Sequence, residues 1–590
     1  MKKLIYAALV LCMVCVAMAD DHVIQFVING GQHVSFRTSD IKSITYAYHD
    51  QDSIDKAYQD SLNRDQFIRD SLAREEFLRD SLYNDSVMKW NETHTLPQIL
   101  DEYSDEYSLF FEALRRTGLV DSVARLHGDT LDAGLMCDRD GYRLYTPNER
   151  KVGYTLFAET DSVMRLNGIN TFDDLVAYAN NTYSSASEWH DYLQVNGLSV
   201  STGNDYTNRT NALNMFVAYH ILPIAMSSDW LVYEKSSKNA SIWNSAPDAE
   251  PYDYYETMLP HTLLKAWEPG ASSGNPIYLN RYQTNNTLTN EVGTLGTNHE
   301  VVRKGAEVLR SKESVRASNG YVHPIGDMLV YDQLVATGVL HERMRFNCTS
   351  LIPELITNGL RSAYPVDVSA LNGGGNGDRV GIPDNFSSNV VTYGQTKLYY
   401  CVHGMWRAWQ SDQLQMWDYI DFAIKLPPVP KDVYELRVLY YPMERGGKIE
   451  YSLGSNPHAM EDFKVLETFD ATVNPMVDPS IGWTDALYEE DRGVASDKTM
   501  RERGYMRAPY SYARGGMGWT ETYNCRYEAF YGLMTLRKIV GRIQMDGQTQ
   551  WLRIRVTEPD SSISVGGVLD YIELCPVSVC DNSTYMEDWY

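Results

Sequence analysis

Few groupings in this 590-residue chain have the residue types and spacing that chemistry requires. His220 follows Tyr219 at the end of the apolar run "NALNMFVAYHILP", where an imidazole could serve as a general base. No Ser, Cys or paired carboxylate is placed by motif to work with it. The stronger reading is a structural His, hydrogen-bonded to the Thr160–Asp161 pair and holding a helix to a sheet. "CDRDGY" at 137–142 opens like a calcium loop but lacks the remaining ligands and the closing Glu. "LNGGGNGDRVGIPDN" has glycines dense enough to cradle a phosphate, yet it contains no Gly-Lys-Ser or Gly-Lys-Thr and no strand leads into it. A loop or domain junction is expected there, and neither a cofactor nor a metal.

The strongest binding signal is aromatic. Trp406, Trp409, Trp417, Trp483 and Trp519, with Tyr510, Tyr512 and Tyr523, fall in or near expected loops, where exposed rings can stack on sugars. Trp406, Trp409, Trp483, Trp519 and Tyr523 are the candidate ligand-binding set. Core packing is the competing use of any one of them. The 42 tyrosines against 15 phenylalanines also favour wet surfaces, where a ring is wanted together with a hydroxyl. A glycoside hydrolase would need two carboxylates about 5–10 Å apart across a sugar cleft. With 78 acidic residues, the sequence neither places nor excludes such a pair.

Those acids, set against 52 basic residues, give a formal charge of -26, which argues against nucleic acid and anionic lipid as partners. Lys2 and Lys3, the apolar run Leu4–Val16 and "AMA" before Asp20 read as a secretory signal over 1–19. The chain is therefore expected to be exported, to the cell surface, outer membrane or periplasm. A lipid-modified Cys12 or Cys15 is the rival reading. No later stretch approaches the roughly 20 apolar residues of a membrane span. Cys137, Cys348, Cys401, Cys525, Cys575 and Cys580 remain, an even number that an oxidising compartment could pair, at spacings that favour no metal.

The elements that must position these residues come in blocks. Over 20–48 the pattern alternates on either side of Asn29-Gly30-Gly31, as in a β-hairpin. Over 49–91, Asp-Ser-Leu recurs at 60, 70 and 80 in a stretch rich in charge, read as a helical spacer or a solvated linker. "LPQILDEYSDEYSLFFEALRRTGLVDSV" carries apolar residues at helical spacing, and "YTLFAETDSVM" reads as a strand feeding a helix capped by Thr160 or Asp161. "SNGYVHPIGDMLV" reads as a turn at Asn319-Gly320 followed by a strand. "QLVATGVLHERMRFNCTSLIPELITNGLRS" suggests two short helices broken at Ile352-Pro353. The last 210 or so residues turn to short period-2 strands such as "VYELRVLYY", "KIEYSLG" and "WLRIRVTE", the pattern of a β-sandwich.

The order of "YTLFAETDSVM", "YHIL" and "SNGYVHPIGDML" resembles the fasciclin (FAS1) domain, whose motifs run roughly "TVFAPTDEAF", "LLLYHVV" and "NGVIHVIDGVL". The match rests on Thr155, Phe157, Ala158, Thr160 and Asp161, on Tyr219 and His220, and on Asn319, Gly320, His323, Ile325 and Leu329. Glu159 stands where the family has Pro. Residues 176–208 and 225–260 read as insertions. "LPPVPKDVYELRVLYY" and "VLDYIELCP" are similar to galactose-binding-like jelly rolls, and the pairing resembles surface-exposed fasciclin proteins of Bacteroidetes.

The fold class expected is multidomain α+β. A fasciclin domain of helices and a β-wedge spans 92–333, a helical connector 334–372, and an all-β galactose-binding-like sandwich 373–590. The resemblance implies that Thr160, Asp161, Tyr219, His220, Asn319, Gly320 and His323 are framework residues. It also implies a non-enzymatic adhesion protein that captures a glycan or a partner protein. A glycan-binding accessory of an outer-membrane polysaccharide uptake system is the alternative.

Overall fold

The computed structural model describes residues 23–28, 32–37 and 91, and from 93 to 581 all but 133, 135, 138–142, 233–244, 247–251, 270–275, 286–298, 310–314, 362–378, 403–407, 411, 418, 441–446, 474–477, 485–493, 508–535 and 558–565. The signal segment and the Asp-Ser-Leu repeats lie outside the described residues. The chain forms two compact units, Met1–Ser86 and Val87–Tyr590. In the first, Val23–Ile28 and Gln32–Arg37 pair antiparallel with Ile28 opposite Gln32, which leaves 29–31 to connect them.

The second unit is a mixed α+β body with a β-sandwich region. It opens with the helices Leu96–Glu102, Ser104–Arg116 and Leu119–Val123. Phe110, Phe111 and Leu114 recur on one helix face and are buried, each contributing roughly 1.5–3 kcal/mol of transfer free energy. On the outer face Glu112 pairs with Arg115 and Arg116.

These helices cover a four-stranded sheet ordered Val315–Ala317, Gly320–Ile325, Tyr154–Glu159, Ile221–Leu222. Its two central strands run parallel, with Gly320 opposite Tyr154 and Ile325 opposite Glu159. Tyr154–Glu159 is buried along its whole length, which explains why "YTLFAE" shows no polar alternation. All three motif segments thus meet in one sheet.

Between the second and third motifs lies a further antiparallel sheet, the insert sheet. It comprises Tyr252–Glu256, Leu263–Trp267, Tyr278–Leu279 and Ala306–Glu307 in that order. It extends well beyond the 225–260 stretch expected as an insertion. In the other expected insertion, 176–208, the short helices Ala186–Trp189 and Asp191–Val195 follow the helix Phe172–Tyr183.

Within 334–372, where a helical connector was expected, Cys348–Leu351 and Glu354–Thr357 are helical. Met344–Asn347 is instead a strand, and it pairs with Tyr571–Pro576. Strand content in this segment was disguised by Arg345, a charged residue that is fully buried because it meets Glu573 across the ladder.

Tyr571–Pro576 belongs to a five-stranded sheet ordered Met344–Asn347, Tyr571–Pro576, Asp432–Tyr440, Leu536–Met545, Tyr505–Arg507. A second five-stranded sheet runs Val390–Thr392, Asp421–Lys425, Trp551–Val556, Lys448–Gly454, Lys464–Asp470. The Phe469 ring joins the two sheets, edge-on to Tyr440 at 4.9 Å and to Tyr505 at 6.4 Å. The remaining strands, Arg379–Ile382, Lys397–Val402, Asp412–Trp417 and Gly566–Leu569, form a four-stranded sheet of their own.

Candidate functional site

The polar motif residues make contacts within the chain. Thr160 caps the helix Asp161–Leu166, its Oγ1 accepting from the Val163 amide at 3.4 Å. Asp161 accepts from the Ser108 hydroxyl at 2.5 Å and the Leu109 amide at 3.1 Å, tying the capped helix to the opening helices. Asn319 performs the same service at the turn. Its Oδ1 accepts from the Leu96 amide at 3.0 Å, and its Nδ2 donates to the carbonyls of Val123 at 2.7 Å and Arg125 at 3.0 Å. Gly320 is required by close approach, since a Cβ built there would sit 1.8 Å from the Tyr154 carbonyl oxygen, and its φ is 153°.

His220 does not bond to the Thr160–Asp161 cap. Its Nε2 lies 2.9 Å from Glu159 Oε1, and its Nδ1 lies 2.7 Å from the Phe216 carbonyl oxygen. Both ring nitrogens face oxygens, so a proton is held between His220 and Glu159. The same Glu159 oxygen accepts from the Leu329 amide at 3.0 Å. Glu159 therefore joins three segments, Tyr154–Glu159, 219–220 and 320–329, at one atom. His220 and Glu159 are each 0 % exposed, so no substrate reaches this pair.

Tyr219 points toward the insert sheet. Its hydroxyl donates to the Leu263 carbonyl at 3.0 Å and accepts from Asn280 Nδ2 at 2.9 Å, and burial pushes its pKa well up. His323 is buried with Nε2 2.9 Å from the Met226 carbonyl oxygen. Burial lowers its pKa to about 4.

Trp409, expected at an exposed loop, is 0 % exposed and cannot serve as a sugar platform. Its backbone amide donates to both Asp570 carboxylate oxygens at 2.9 and 3.1 Å, and its ring faces the Arg345 guanidinium at 5.1 Å. It is a core residue because it covers a buried cation. Trp483 is partly buried beneath Arg507, 5.1 Å from its ring centroid. Trp406, Trp519 and Tyr523, with Tyr510 and Tyr512, lie outside the described residues, as does the Trp417 side chain.

Arg345 leads into a charge network. Arg345, Glu573 and Arg437 stand opposite one another on three neighbouring strands, all 0 % exposed. The Glu573 carboxylate lies 2.7 Å from Arg437, 3.1 Å from Arg537, 3.2 Å from Arg345 and 3.6 Å from Arg343. Burial alone would raise its pKa, but the four guanidiniums, led by Arg537 and Arg437, hold it far below the usual carboxylate range. This network fixes strand register rather than presenting chemistry to solvent.

The insert sheet carries an arrangement that sequence reasoning missed. Tyr252 and Tyr278 both stand directly opposite Trp267, one on each flanking strand, and all three rings are partly exposed. Cations sit over them. Lys265 Nζ is 4.7 Å from the Trp267 centroid and 5.7 Å from that of Tyr252. Arg281 Cζ is 4.9 Å from Tyr278 and 6.0 Å from Trp267, and Lys304 Nζ is 5.9 Å from Tyr278. The signal was available in "YDYYE" and "LLKAWEP", whose period-2 pattern marks strands.

A small open cleft between this sheet and the sandwich is lined by Tyr254, Phe346 and the Glu256–Lys425 ion pair, which closes at 2.9 Å. Among the described residues, no group of three or more His, Cys, Asp or Glu is arranged to hold a metal ion. No helix among them is long and apolar enough to cross a membrane.

No protein-family model matches the chain, and no curated protein matches it in sequence. Among solved structures, it is similar to the K2 cleaved adhesin domain of Lys-gingipain, with 10 % identity and a TM-score of 0.14. That likeness covers 28 % of this chain and 71 % of the adhesin domain.

Proposed function

We propose that this chain is a non-enzymatic binding protein of the cell exterior, in which a fasciclin-like body and a β-sandwich mediate adhesion or capture. The observation that carries the reading is the convergence of Tyr154–Glu159, the Tyr219–His220 helix end and Gly320–Ile325 on one sheet. These are the segments that carry the fasciclin resemblance. The polar motif residues are buried and committed to internal hydrogen bonds, which leaves recognition to the surfaces they support. The secretory pattern at 1–19 supports an exterior location.

The test is binding of the purified chain, from Asp20 onward, to an array of dietary, host and microbial glycans and to intact host and bacterial cells. Saturable binding to a glycan class or a cell type supports the reading. Absence of binding on both, together with turnover of any glycan on the array, would replace it with an enzymatic one.

A further inference from the structure

We propose that the insert sheet is a binding platform for an acidic glycan, a polysaccharide bearing carboxylate or sulfate groups. The platform consists of Tyr252, Trp267 and Tyr278 with the cations Arg281 and Lys304 beside them. The proposal rests on the binding reading above and assigns it a surface and a ligand chemistry.

The geometry begins with strand register. Direct cross-strand partners stand on the same face of a sheet. Tyr252, Trp267 and Tyr278 therefore form one row, at strand spacings of roughly 4.8 Å, so the outer two are about 10 Å apart. Three partly exposed rings over that length give an aromatic row whose uncovered ring surface offers apolar contact to the C–H faces of successive sugar rings. A row of this length spreads its contacts along a chain-like ligand rather than around one side-chain anchor.

Charge selects among glycans. Lys265 is already neutralised by its ion pair with Glu342. Arg281 and Lys304 differ. The Arg281 guanidinium donates only to neutral oxygens, the Lys304 carbonyl at 3.3 Å and Gln283 Oε1 at 3.4 Å. Among the described residues neither Arg281 nor Lys304 makes an ion pair with a carboxylate. In a chain of formal charge -26, two uncompensated cations beside one tyrosine ring form a local reversal of sign. The acid closest along the row is Glu307, opposite Tyr278 on the edge strand. A guanidinium held 4.9 Å from a ring centroid can present its remaining N–H groups to a carboxylate or sulfate. A polyphosphate would meet the same two cations, and a DNA probe separates it from a glycan.

The experiment is affinity electrophoresis and calorimetric titration of the purified chain with polygalacturonate and chondroitin sulfate oligosaccharides. Neutral dextran and single-stranded DNA serve as comparison probes. At least one acidic glycan should bind, more weakly as salt rises, and dextran and DNA should not. The double variant Arg281→Gln, Lys304→Gln should weaken binding about 10-fold or more, as expected for loss of charge-assisted hydrogen bonds. It should also leave the thermal midpoint unchanged. Trp267→Ala should abolish binding, and because that change also touches the sheet, the double variant is the deciding one.

Binding of neither acidic glycan, equal binding of dextran, preferred binding of DNA, or an unchanged affinity in the double variant would each overturn the platform. The adhesion reading survives any of these if the chain still binds glycans or cells in the array. Failure there is scored without reference to the platform residues.

Discussion

Glu159 and His220, 61 residues apart, meet at 2.9 Å inside a fully buried site, and the same Glu159 oxygen receives the Leu329 amide. Removing one partner leaves the other desolvated and alone. Glu159→Ala should therefore destabilise the chain by about 3–5 kcal/mol, the usual cost of breaking a buried ion pair from one side. Equilibrium urea unfolding measures it. A loss below about 1 kcal/mol would mean that the contact carries little of the motif sheet.

Acid should weaken the same body through His323. Its pKa is about 4 in the folded chain against 6.5 for the free group. Between these values the unfolded chain binds the proton and the folded chain does not, so stability rises with pH across that window. The contribution is fully present above about pH 6.5 and lost as pH falls to about 4. The gap of about 2.5 pH units, at about 1.36 kcal/mol each, sets it on the order of 3 kcal/mol. His261, which burial also holds below its usual value, acts in the same direction. Urea midpoints measured from pH 7 to pH 4 should fall, and His323→Gln should flatten part of the slope.

In the sandwich, Glu573→Gln should be among the most damaging single changes. It removes the one carboxylate shared by Arg343, Arg345, Arg437 and Arg537 and leaves four buried cations facing one another. A loss of about 3–5 kcal/mol is expected, with partial recovery when Arg437→Met is added. Thermal unfolding of the single and double variants checks it. Additive losses would contradict a shared network.

Thiol chemistry should be graded. Cys580 is partly exposed, and the Cys575 thiol beside it holds its pKa below the ordinary value, with burial opposing. Cys348 is buried, and burial pushes its thiol well up. Iodoacetamide at neutral pH should label Cys580 first and leave Cys348 untouched until the chain unfolds. Peptide mass spectrometry over a time course reads the order. Equal labelling rates would count against the environments described.

What the sequence revealed was local. Thr160 as a cap, Asn319-Gly320 as a turn and the strand at Tyr154–Glu159 are each set by residues a few positions apart. What it concealed depended on partners far along the chain. Arg345 reads as surface until Glu573, 228 residues later, is brought opposite. Trp409 reads as an exposed loop ring until Arg345 is placed under it. Tyr278–Leu279 and Ala306–Glu307 are two residues each, too short for periodicity to register, so the aromatic row was visible only in part.

The strand Tyr571–Pro576 lies between Met344–Asn347 and Asp432–Tyr440, so an interior place in the sheet is filled by a segment whose Glu573 follows Arg437 by 136 residues and Arg345 by 228. A ribosome that stalls before residue 571 therefore leaves a polypeptide with a missing interior strand, two unsatisfied strand edges and four arginines without the carboxylate they share. The sheet therefore cannot close until residue 576 has been made, and its assembly trails the synthesis of both neighbouring strands.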